Sequence, residues 1–209
     1  MAFKPHPNGG GLVEDTAYVA ETAFVDKYAV VRDKARVLDN AIIDCLAEVS
    51  GNALIYDDAW ISGRAQVYEN AVAGSGAWIR GNARVYGSAQ IYADGWIMDN
   101  ARVYDNARIY NNGQVSDHAE VFGNAHVYDF GTICDHAKAY EHAKIYEMAT
   151  ISDYAQVYGS ARVHSYAQVS CQATVCDNGE VCNYAELSGS SKVGGNSRIF
   201  KPIDDFYKS

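Results

Sequence analysis

From Val13 to Ile199 every sixth residue is Val, Ile or Leu, except Ala73 and Ala139, and the register never slips. Two residues before each of these, from Ala17 to Ser197, stands Ala, Gly or Ser. An amphipathic helix needs apolar residues three and four apart, so a period of six excludes it. Two inward positions separated by one outward residue are what a short strand supplies. Polar pairs such as Asp105-Asn106, Gly123-Asn124 and Gly159-Ser160 tolerate the backbone angles of a tight corner. Each hexad is therefore one strand and one corner, and three hexads close a triangular coil with the aliphatic residue at its centre. The chain is expected to be an all-β parallel β-helix, a prism of about ten coils and on the order of 50 Å long at the spacing of paired strands.

The repeat occupies residues 12–200, leaving residues 1–11 as an N-terminal cap and 201–209 as a C-terminal cap, with Phe200, Ile203 and Phe206 available to cover the last coil. Solenoids need such end covers. Stretches such as "GNARVYGSAQIY" (residues 81–92) resemble the hexapeptide repeats of the left-handed β-helix family, whose best-known members are trimeric acyltransferases, and more closely those of bacterial and phage YdcK-like repeat proteins. The resemblance implies the left hand of the coil, a homotrimer, and an acyl-coenzyme A groove between subunits in which a histidine acts as general base. The family's enzymes often push a long loop out between coils to build a substrate pocket, and the unbroken register here has no such insertion.

Residues 18 apart lie directly above one another in such a coil, so each outward position forms a column. One reads Tyr68, Tyr86, Tyr104, Phe122, Tyr140, Tyr158, and a second reads Tyr56, Gly74, Tyr92, Tyr110, Tyr128, Tyr146. Basic residues run beside them: Arg84, Arg102 and Lys138 on one face, and Arg108, His126, Lys144 and Arg162 on the other. Two readings stand. The aromatics stack for stability, or Arg108, Tyr110, His126, Tyr128, Lys144, Tyr146 and Arg162 contact an anionic, carbohydrate or nucleotide ligand.

The third face carries Phe24, Ile42, Trp60, Trp78 and Trp96 in one column, which then turns polar, with Arg80 and Met98 in the column alongside. All three tryptophans of the protein are in that one column. Soluble monomers rarely leave such a strip bare, so it is expected to be a subunit interface or a ligand platform. A corner column of Phe130, Met148, Tyr166 and Tyr184 offers a further contact edge.

Candidate chemistry is sparse. His118 and His136 each follow an Asp at a corner beside the small-residue part of the third face, and they are the catalytic candidates if the chain is an acetyl-coenzyme A-dependent acyltransferase. Otherwise no cofactor is required. Asp99, Asp117, Asp135 and Asp153 stack at the same corner, either as solvated turn residues or around a cation. The five cysteines have no CxxC spacing, which suits reduced thiols and no zinc site. A formal charge of −9 disfavours general nucleic-acid binding. With no apolar leader at the start and no run near the roughly 18 apolar residues of a membrane span, the expected location is the cytoplasm and no membrane contact. The favoured function is a non-enzymatic homo-oligomer that binds, sequesters or scaffolds through its outer ladders, with acyl transfer as the alternative.

Overall fold

The computed structural model describes residues 2–201. Every hexad forms a strand, most of them only two residues long, such as Trp60–Ile61 and Arg108–Ile109. Strands stack in parallel with the residue 18 positions on, as Trp60 with Trp78 and Ile61 with Ile79. Three sheets of 12, 11 and 10 strands result, and they wind into a β-solenoid of about 11 turns. Among the described residues no helix is long and apolar enough to cross a membrane. The first face begins at Leu12–Glu14, the second at Tyr18–Val19 and the third at Phe24–Val25.

The inward aliphatic column is the core. Ile43, Ile55, Ile61, Ile79, Ile91 and Ile109 are fully buried, each removing an aliphatic side chain from water for roughly 1.5–3 kcal/mol of stabilisation. The small residue two places earlier is also at zero exposure, as at Ala65, Ala77 and Ala101. It packs where the wall bends. At Gly113 even a methyl group does not fit, because a Cβ would come within 2.4 Å of the Val127 carbonyl oxygen.

The corners obey the same economy of space. Their first residue has a positive φ, as at Asp105 (57°) and Gly87 (68°), which suits Gly, Asn and Asp. At the corner between the second and third faces, from Gly76 to Tyr166, the next residue is also left-handed, including Phe130 (66°), Met148 (58°) and Tyr166 (66°), an uncommon conformation for bulky side chains. These three are about half exposed.

At the N-terminal end, Phe3–Pro5 folds back antiparallel onto Leu12–Glu14, Gly10 bridges to Asp26, and the Asn8 side-chain amide donates to the Ala23 carbonyl at 3.0 Å. His6 is buried there. At the other end Phe200 pairs with Cys182 in register and is 56% exposed rather than tucked over the last coil. Ile203 and Phe206 lie outside the described residues.

Candidate functional site

The two tyrosine columns are continuous stacks. Tyr68, Tyr86, Tyr104, Phe122, Tyr140 and Tyr158 follow one another at centroid distances of 4.9–5.0 Å with planes within 9°. Tyr92, Tyr110, Tyr128 and Tyr146 stack on the second face at 4.9–5.1 Å, and His164 continues the stack at 4.6 Å. At the gap, the ring of Tyr56 fills the space a side chain at Gly74 would need. Each ring inside a ladder is sandwiched by its neighbours. Burial, then the adjoining Tyr110 and Tyr146 hydroxyls, push the Tyr128 phenol up to about 12.

A sugar or base binds an aromatic side chain through the ring face, and inside a ladder those faces are already covered by the next coil. What remains toward solvent is ring edges, hydroxyls and the basic column. That column stacks in register as Arg108, His126, Lys144 and Arg162. Burial, then the charges of Arg108 and Lys144, hold His126 below its ordinary pKa. A cleft of about 380 Å³ opens between Lys144, Arg162, His142, Ser160 and Asn178. On the first face Glu120 breaks the basic run and pairs with Lys138 at 3.2 Å.

The third face behaves differently. Phe24, Ile42, Trp60, Trp78 and Trp96 are all partly buried and adjacent in register. Trp78 and Trp96 stack at 5.0 Å with planes 12° apart, but Trp60 meets Trp78 edge-on, at 69°. In this orientation the Trp60 indole N–H donates to Asp44 Oδ2 at 3.0 Å. The other carboxylate oxygen, Oδ1, is buried without a partner among the described residues. The turned ring opens a cleft of about 230 Å³ lined by Trp60, Ser62, Trp78 and Arg80. Arg80 reaches along its column to the Met98 sulfur at 3.2 Å and has no carboxylate partner among the described residues. Here the indole column opens at the surface beside an arginine.

His118 and His136 stack on each other at 4.9 Å, and His136 stacks on Tyr154. They line a cleft of about 360 Å³ with Asn100, Arg102 and Glu120. Among the described residues no carboxylate bonds either imidazole. Glu120 is engaged by the Tyr104 hydroxyl and Lys138. A general base is usually held by an orienting partner. The aspartate column at that corner is bonded to the chain itself: Asp117, Asp135 and Asp153 accept the backbone N–H of the residue one coil on. Glu69 and Asp177 do the same at another corner. The acidic columns are thus inter-coil staples.

A cluster without any counterpart in the sequence reading lies on the second face near the C-terminal end. The donor atoms of His164, Glu180 and Cys182 all lie within 4.8 Å of one another. The linear spacing of the cysteines hides it, because the coil and not the chain brings these residues together. Two offsets give it away: His164 is 18 residues before Cys182, and Glu180 is two residues before Cys182 on the same side of the strand. The same bookkeeping exposes Asp44. Pairs 16 residues apart are diagonal neighbours, as Asp44 with Trp60, Tyr104 with Glu120 and His164 with Glu180.

Residues 101–117 match the family described as the YdcK beta solenoid repeat. No curated protein matches the chain. The matched segment holds the stacked Tyr104 and Tyr110 and the start of the polar part of the third face. It lies outside the tryptophan cleft.

Proposed function

We propose that this β-solenoid is a non-enzymatic binding or scaffold protein that assembles with copies of itself, as a homotrimer, through its tryptophan face. The observation that supports it is the broken indole column. Phe24, Ile42, Trp60, Trp78 and Trp96 form an apolar strip along five coils, and the Trp60–Trp78 cleft with Arg80 gives that strip a feature a partner side chain can enter. Aromatic and arginine side chains in desolvated pockets carry most of the energy of typical interfaces. The half-exposed Phe130, Met148 and Tyr166 edge borders the same face.

Acyl transfer is the second reading, supported by the cleft that holds His118 and His136. The absence of an orienting partner for either ring among the described residues counts against it. Sedimentation of the free protein and calorimetric titration with acetyl-coenzyme A test the two together. The proposal expects a species of three chains and no saturable heat at millimolar cofactor. A single-chain species overturns the assembly. Saturable binding that is lost in His118→Ala or His136→Ala overturns the non-catalytic reading.

A further inference from the structure

On the second face the two outer columns change chemistry together. The ring column runs Tyr110, Tyr128, Tyr146 and then becomes His164, Cys182; the basic column runs Arg108, His126, Lys144, Arg162 and then becomes Glu180. The change puts a nitrogen, an oxygen and a sulfur donor in one place. Cys182 is fully buried, and the side chains of His164 and Glu180 are each only 14% exposed. His164 Nε2 lies 3.0 Å from Glu180 Oε1, and the three donors fall within 4.8 Å of one another. Donors on one tetrahedral zinc sit about 3 to 4 Å apart.

The surroundings fit a cation. His164 is held from below by the ring of Tyr146. Its Nδ1–H donates to Ser165 Oγ at 2.8 Å, and the Ser165 hydroxyl donates in turn to Glu147. Such a relay fixes the ring and leaves Nε2 to face the other donors, as around many bound metals. A positive charge already bridges the oxygen and sulfur donors: Arg198 Nε is 3.2 Å from Glu180 Oε1 and 3.3 Å from Cys182 Sγ. Arg162 adds a second, at 2.9 Å from Glu180 Oε2. Arg198 is exposed on the last described strand, so it can leave without disturbing a coil.

The geometry points to a three-donor site for a thiophilic divalent cation, zinc being the natural occupant, made by His164, Glu180 and Cys182 with a fourth position open. Binding forms bonds from the metal to Nε2, a carboxylate oxygen and Sγ. The thiol proton and any proton on Nε2 pass to solvent, and the Arg198 guanidinium swings away. The site is independent of the tryptophan face and of the assembly proposed for it.

Cobalt(II) titration of the whole protein is the test, because only a bound thiolate gives the sulfur-to-cobalt charge-transfer band. The expected result is a band that saturates at one equivalent and is bleached by zinc. Cys182→Ser should abolish the band, and His164→Gln should weaken zinc binding at least about tenfold. Arg198→Ala should tighten zinc binding several-fold, since it removes a competing cation without touching a donor. Unchanged thermal unfolding of the metal-free variants shows that they fold. Absence of the band in the wild type overturns the site. So does a band that survives Cys182→Ser, which would belong to Cys45, Cys134, Cys171 or Cys176, or zinc affinity indifferent to His164→Gln.

Discussion

The tyrosine ladders and the tryptophan column are built on the same repeat, yet they do opposite things with their rings. In the ladders each aromatic side chain follows the inward aliphatic residue, and neighbouring planes agree within 9° for six residues in succession. Inside the ladder both faces of a ring are spent on the adjoining coils. In the tryptophan column the rings precede the inward residue, and Trp60, bonded to Asp44, stands at 69° to Trp78. One turned ring converts a wall into a cleft. A repeat protein can therefore hold its coils together and present a surface with the same class of side chain, and the tilt of the ring tells the two apart.

Breaking what both regions share should have the largest effect. Val103→Asp or Ile109→Asp places a charge in the fully buried aliphatic column; an unpaired buried carboxylate costs several kcal/mol, so both ladders should be lost together with the strand signal in far-ultraviolet circular dichroism.

Next in size is a substitution that separates the regions. Tyr104→Ala removes a ring stacked on both sides, by Tyr86 and Phe122, and should lower the unfolding free energy in a urea titration by about 2 kcal/mol. Trp60→Ala removes a ring with one edge-on indole neighbour and should cost less than half of that. Equal losses would mean that the tryptophan column is a ladder like the others.

The ladders should also respond to alkali. The folded-state Tyr128 pKa is raised from the ordinary 10.0 to about 12, so below pH 10 the phenol is neutral in both states and its contribution is fully present. As pH rises toward 12 the unfolded chain ionises first, and stability falls. Denaturant midpoints measured between pH 9 and pH 12 should decline through that window, and the decline should shrink in Tyr128→Phe.

The smallest expected effect is at Asp44. Asp44→Ala removes the acceptor of Trp60 and, with it, the buried oxygen that has no partner. The two changes offset, leaving stability within about 1 kcal/mol of wild type. The visible consequence is in the near-ultraviolet circular dichroism, where Trp60 swinging into line with Trp78 should strengthen the indole coupling. An unchanged spectrum would show that Asp44 does not set the tilt.

Much of this was legible in the sequence. The period of six fixes strand, corner and core, and the offset of 18 names every column, because a coil without insertions maps sequence distance onto height. Ring tilt is not written in the pattern. It accompanies a diagonal contact 16 residues away, Asp44 with Trp60, which a reading of vertical columns passes over. The same diagonal joins His164 to Glu180. The roles of the acidic corners also needed coordinates: stacked aspartates read as a column of repelling charges until each is seen accepting a backbone N–H from the next coil.

The central claim is that the tryptophan face and not the tyrosine face is where copies of the chain meet. Absolute mass by light scattering on a sizing column tests it directly for the wild type, Trp78→Glu on the third face and Arg108→Glu on the second. The account predicts three times the chain mass of 22.8 kDa for the wild type and for Arg108→Glu, and the single-chain mass for Trp78→Glu. A wild-type monomer, or a trimer that survives Trp78→Glu and falls apart in Arg108→Glu, would contradict it.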